Sequence, residues 1–110
     1  MAQLKIKEIP LTTFNSANLV VGYLPVNAGG LPNACFLLRI INGGTTAIEI
    51  SYDGVTNHDV VFPSSTLQLP GPINTLLNSN GALFPQGQVI YVAGTAGVGT
   101  IAVAGYYQST

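Results

Sequence analysis

Three of the chain's four carboxylates, Glu49, Asp53 and Asp59, and its single histidine, His58, fall within the stretch EISYDGVTNHDVV. These residue types can do three kinds of chemistry. A carboxylate beside an imidazole can move a proton, two carboxylates can share a cation, and a hydroxyl beside a histidine can become a nucleophile. Each requires side chains that converge, so the question passes to the strands that carry them.

In AIEISYD the apolar Ile48, Ile50 and Tyr52 alternate with Glu49, Ser51 and Asp53, the pattern of a half-buried strand. Two turns compete to continue it. Asp53-Gly54 has the stronger two-residue turn chemistry, but it would set Ile50 opposite Asn57. A three-residue loop, Gly54-Val55-Thr56, sets Tyr52 opposite His58, Ile50 opposite Val60 and Ile48 opposite Phe62, which keeps every apolar pair on one face. The longer loop is therefore expected. It directs Asp53 and Asp59 to solvent and His58 to the other face beside Tyr52, so the hairpin alone assembles no catalytic group. The two aspartates would be diagonal neighbours, with too few oxygens between them for Ca²⁺.

The remaining candidates read as structural. No Gly-x-Ser-x-Gly elbow activates a serine. GTAGVGT, residues 94–100, has the glycine spacing of a phosphate loop but lacks the lysine and the following helix, and is expected to be a hairpin turn. One cysteine and one histidine exclude a Cys/His zinc centre. Cys35, beside FLLRII, fits a small buried apolar group. Arg39, inside the same run, is expected to pair with Glu49 within the sheet or with a neighbouring subunit. No catalytic residue, cofactor or metal ligand is assigned.

The elements around these residues are strands: LKIKEI, NLVVGYL, CFLLRIIN, AIEISYD, HDVVF, TLQL, VIYVAGT and TIAVAGYY, rich in β-branched and aromatic residues and separated by Gly, Pro, Asn and Ser. About eight short strands predict an all-β fold, an antiparallel β-sandwich or jelly roll, with residues 1–110 as one domain. Residues 70–88 form the longest irregular connection, with room for one helical turn in NTLLNS. Residues 89–107 carry no charge, but Gly94, Gly97, Gly99 and Gly105 would each cost a helix about 1 kcal/mol, which favours strands over a membrane span. GTTAIEISY and GTIAVAGYY share Gly, Thr, Ala, an aliphatic residue and Tyr at equal offsets, as two hairpins solving one problem.

Charge narrows the partners. Charged residues make up 6% of the chain, against about 25% in ordinary soluble domains, and hydrophobic residues 47%. A net charge of −1 provides no footprint for nucleic acid or an anionic membrane. The N-terminus shows no secretion signal, which points to a reducing compartment. Its segment MAQLKIKEIPLTTF, residues 1–14, is the one place where charge clusters. Leu4, Ile6 and Ile9 alternate with Lys5, Lys7 and Glu8 before Pro10 interrupts the ladder, which suits an extended arm. Leu4, Lys5, Ile6, Lys7, Glu8 and Ile9 are accordingly the candidate interaction residues, adding a strand to a neighbouring subunit or else pairing within their own sheet.

Residues 37–107 carry a resemblance. LLRIINGGTTAIEISYDGVTNHDVV, followed by STLQL and by QGQVIYVAGTAGVGTIAVAGYY, resembles small structural proteins of tailed bacteriophage virions. The shared pattern is an apolar strand ending in Asn, a Gly/Thr turn, an I-S-Y/F-D-G hairpin, and a final IYV-x-G-T…G-T hairpin ending near aromatic residues. The resemblance implies a non-enzymatic β-sandwich subunit of the virion, assembled in the bacterial host cytoplasm. Its partners would be the major capsid protein or other virion proteins, together with copies of itself. A capsid cement or decoration protein is the leading expectation, a head–tail ring or tail subunit the alternative. A carbohydrate-binding module stacking sugars on Tyr52, Tyr91, Tyr106 or Tyr107 is the second alternative.

Overall fold

The computed structural model describes residues 5–69 and 84–109. Nine strands run through them: β1 (Lys5–Glu8), β2 (Thr12–Asn15), β3 (Leu24–Pro25), β4 (Leu37–Asn42), β5 (Ile48–Ser51), β6 (Asp59–Val61), β7 (Ser65–Leu69), β8 (Tyr91–Gly94) and β9 (Thr100–Ser109). One sheet has the order β1-β9-β4-β7, with β2 also on β9; the other has the order β3-β8-β5-β6. All pairings are antiparallel, and the two sheets pack face to face as an all-β sandwich. Period-2 alternation supplies the core. Leu38 and Ile40 of β4, Ile101 and Val103 of β9, Ile48 and Ile50 of β5, and Val92 of β8 are all fully buried between the sheets.

β9 is the longest strand and organises the first sheet. On one side it pairs with β4, Ile40 opposite Val103. On the other it pairs first with β2, Thr12 opposite Val103, and then with β1, Glu8 opposite Tyr106. Residues 9–11 therefore span what residues 104 and 105 span on β9, one residue too many. Ile9 keeps the β1 register by donating its N–H to the Gly105 carbonyl at 2.9 Å, so the extra residue is Pro10, which has no N–H to place. The N-terminal segment is thus a bulged edge strand of its own sheet.

Three sequence expectations change. NLVVGYL is not a strand: Asn15 caps a short 3-10 turn over Ser16–Asn18, its side chain accepting from the Ala17 N–H at 2.9 Å, and Val20 and Val21 stand exposed before β3 begins at Leu24. The strand TTFN, β2, was hidden by Pro10 just before it. The 95–99 segment is not a hairpin turn, because β8 and β9 lie in different sheets and the chain crosses between them there. That crossing also divides the uncharged 89–107 stretch between two sheets, and among the described residues no helix is long and apolar enough to span a membrane. The NTLLNS turn lies outside the described residues.

Candidate functional site

The β5–β6 hairpin holds the densest polar chemistry, and the structure shows what each group does. Observed partners are Ile48 with Val61, Glu49 with Val60 and Ile50 with Asp59, one residue displaced from the all-apolar register. The His58 N–H also reaches the Ile50 carbonyl, at 2.8 Å, so two consecutive residues, His58 and Asp59, answer to Ile50. The loop explains the shift. Ser51 Oγ donates to Asp53 Oδ1 at 2.8 Å and accepts from the N–H of Asp53 and Gly54, while Asp53 Oδ1 accepts from the N–H of Val55 and Thr56, both at 2.8 Å. Side chains that satisfy four backbone donors fix the loop more strongly than matching of apolar pairs does. These bonds, led by the backbone N–H groups of Thr56 and Val55, hold the Asp53 carboxyl well below its usual range.

The displaced register changes the expected faces. Asp59 is drawn to the Tyr52 side, where the Tyr52 hydroxyl donates to Asp59 Oδ2 at 2.8 Å. Burial, together with that carboxylate, pushes the Tyr52 phenol far up. Val60 and Phe62, expected in the core, are exposed, and Val61 takes the inward place. His58 does lie beside Tyr52, with ring centroids 5.1 Å apart, but it is exposed and its Nδ1 accepts the Tyr52 N–H at 3.1 Å. An imidazole bonded this way carries its proton on Nε2 and has Nδ1 committed to the backbone. Each aspartate and the histidine therefore holds a local structural bond, and no serine or threonine hydroxyl is bonded to His58 among the described residues. No three His, Cys, Asp or Glu side chains come together there either.

Arg39 and Glu49 are not partners. They lie in different sheets, Arg39 opposite Gln68 and Ala104, Glu49 opposite Val60 and Ala93, and both alternate with buried neighbours, so they project from opposite faces of the sandwich. Glu49 instead accepts from Asn57 at 3.4 Å. Cys35 is fully buried, as its apolar surroundings suggested, and burial pushes its thiol up. Its backbone pairs with Phe84 through two bonds of 2.8 and 2.9 Å.

At one end of the sandwich, residues 43–46 meet residues 95–99. Thr46 Oγ1 donates to the Thr95 carbonyl at 2.7 Å, the Val98 N–H to Thr45 Oγ1 at 3.0 Å and the Gly97 N–H to the Ser16 carbonyl at 3.1 Å. Two consecutive amides of this glycine-rich segment, those of Gly97 and Val98, are thus committed to the fold itself. Gly99 has φ +116°, and a Cβ there would collide with the Gly43 carbonyl oxygen, so the glycines permit backbone to lie directly on backbone. The two GT repeats of the sequence, Gly44 and Gly99 onward, thus face one another across this contact.

Two buried amides bind backbone from separate segments: Asn42 joins the two layers, and Asn27, just past β3, holds the chain leading into β8 of the same sheet. Asn42 Nδ2 donates to the carbonyls of Thr46 at 2.9 Å and Val61 at 3.0 Å, and its Oδ1 accepts from the Gly44 N–H at 3.0 Å, joining β4 to the opposite sheet. Asn27 bonds the Gln88 carbonyl and the Ile90 N–H at 3.1 and 2.7 Å. The one available signal was Asn at the end of an apolar strand.

Of the four candidate stacking tyrosines, Tyr52 and Tyr91 line one open cleft with Asp53 and Gln86, while Tyr106 and Tyr107 lie on β9 in the other sheet. Both cleft rings are partly covered: Tyr52 stacks on His58, and Gly54 approaches the Tyr91 ring so closely that a Cβ would sit 3.3 Å from it. Of the interaction candidates, Leu4 lies outside the described residues, Lys5–Glu8 form β1, and Ile9 is buried in its own core. Ile6, by contrast, is 70% exposed. No protein-family model, curated protein or solved structure matches the chain.

Proposed function

We propose that this chain is a non-enzymatic structural subunit of a tailed-phage virion, a cement or decoration protein on the capsid surface that works through contacts with the shell and with copies of itself. The observation that carries this reading is the surface. Ile6, Leu11, Val21, Val55, Phe62 and Val98 are all more than half exposed on a chain with 6% charged residues. Such a surface repels other copies weakly and gains by being covered. The polar groups that chemistry would need are engaged in holding loops, which supports a binding role over a catalytic one.

The test is co-sedimentation of the purified chain with phage heads, with copy number read by quantitative mass spectrometry. Hundreds of copies per particle support the cement reading. About a dozen would replace it with a head–tail ring subunit, a few with a tail subunit, and no binding would remove the virion reading. A carbohydrate-binding module is the second alternative, favoured by the Tyr52–Tyr91 cleft and weakened by the cover on both rings; saturable binding to a glycan array would select it.

A further inference from the structure

Asn42 is followed directly by Gly43, and in an Asn-Gly pair the side-chain amide is open to attack by the next backbone nitrogen, because glycine has no side chain to hold that nitrogen away. The chain has two such pairs, Asn42-Gly43 and Asn80-Gly81, the second outside the described residues. At the first, the fold holds each group the reaction needs. The Asn42 side chain is fully buried; its Nδ2 donates to the Thr46 and Val61 carbonyls and its Oδ1 accepts from the Gly44 N–H, at 2.9–3.0 Å. The nitrogen that would attack, that of Gly43, donates its N–H to the Thr100 carbonyl at 2.9 Å. The main chain at Asn42 is paired on both sides, with Ser65 of β7 and Ile101 of β9, and is held extended.

We propose that Asn42-Gly43 is a deamidation site that the fold keeps silent and unfolding opens, so that a chain left unfolded is converted to a form that no longer refolds. In the opened chain the Gly43 nitrogen gives its proton to solvent base and bonds to Asn42 Cγ, the Cγ–Nδ2 bond breaks, and Nδ2 takes up a proton and leaves as ammonia. Water then opens the cyclic imide at one or other carbonyl, leaving an aspartate or an aspartate linked through its side chain. The net change is amide and water to carboxylate and ammonium, with nothing oxidised or reduced. Neither product suits the site. A carboxylate has no donor for the Thr46 and Val61 carbonyls and places a charge where the side chain is 0% exposed. The side-chain-linked form also lengthens the main chain between β4 and Gly44, where the Gly43–Thr100 and Gly44–Asn42 bonds fix its path. The inference goes beyond the structural-subunit reading and stands independently of it.

Incubation at mildly alkaline pH, folded in buffer and unfolded in urea, followed by peptide mapping with mass spectrometry, tests this. Conversion at Asn42 should be about a hundredfold slower in the folded chain, because reaction passes only through opened molecules. Asn80, read in the same maps, is the reference in urea, where the two pairs should convert at similar rates. After urea is removed, refolded chain is separated from unrefolded chain by size exclusion, and conversion at Asn42 should be confined to the unrefolded fraction. Asn42→Ala, which has no amide to lose, should lose refolding yield with time in urea more slowly than wild type. Equal conversion of Asn42 in the folded and unfolded chains, conversion at Asn42 within the refolded fraction, or an Asn42→Ala chain that loses yield as fast as wild type would overturn the inference. If Asn42→Ala does not fold, the wild-type maps decide alone.

Discussion

The β5–β6 hairpin and the 43–46/95–99 contact are opposites in composition and alike in purpose. The hairpin is rich in groups that titrate, and the contact has none, only glycine, threonine, alanine and valine. Yet Asp53 and Ser51 do for one loop what Thr45 and Thr46 do for the other, which is to occupy backbone donors and acceptors that strands leave behind. The difference lies in how replaceable the parts are. A carboxylate cap can be traded for another acceptor, whereas a backbone lying on a backbone tolerates no added atom.

That contrast can be broken in order of size. Gly99→Ala should have the largest effect, because it combines a left-handed φ with a collision against Gly43; a loss of about 4 kcal/mol or more would leave a small domain largely unfolded. Gly29→Ala, also at positive φ but with open space around it, is the control and should cost about 1 kcal/mol by urea denaturation. Equal losses would show that crowding is not what the 43/99 contact imposes. Asn42→Ala comes next at about 3 kcal/mol, since it orphans two carbonyls and an N–H within the core.

Asp53→Ala should lower Tm by only a few degrees, because its bonds face solvent. Its pH dependence carries the sign. A carboxyl held low in the folded chain adds stability that is complete above the ordinary aspartate range, about pH 4, and that is lost as pH falls below it. Wild-type Tm should therefore fall more steeply on acidification than that of Asp53→Ala. Tyr52 works at the other end: its phenol is raised, so the stability it adds is full below about pH 10 and is lost as pH rises beyond. Ultraviolet titration should find tyrosine ionisation extending well above the ordinary range, and Tyr52→Phe should remove the most resistant part of that signal. His58→Ala should matter least, with Tm within about 2 °C of wild type, since the ring is exposed and makes one backbone bond.

The strands of the sandwich were legible because burial on one face imposes period 2, which β4 keeps throughout and β5 from Ile48 to Ile50, while β9, buried on both faces from Ile101 to Gly105, was legible from its β-branched residues. The hairpin was legible as a hairpin, but its register was not. Apolar matching favoured Ile50 opposite Val60, whereas the Ser51 and Asp53 bonds close the loop with Ile50 opposite Asp59. NLVVGYL misled because its valines have strand propensity without a ladder to join. The bonds of Asn42 and Asn27 were not legible because an amide in a strand end or a loop has the same appearance whether it faces water or bonds buried backbone. The candidate site suffered most, since clustering along the sequence says little about whether groups are free: the histidine, both aspartates and the tyrosine were adjacent, and all were taken.

Pro10 bears on how a chain of this composition avoids polymerising. An uninterrupted N-terminal edge of a dozen residues, apolar at alternate positions, would be a template on which further copies could stack without limit. The bulge divides that edge into two four-residue pieces out of phase with each other, so an incoming strand in step with one piece is out of step with the next. Growth by edge addition is expected to stall after a few bonds.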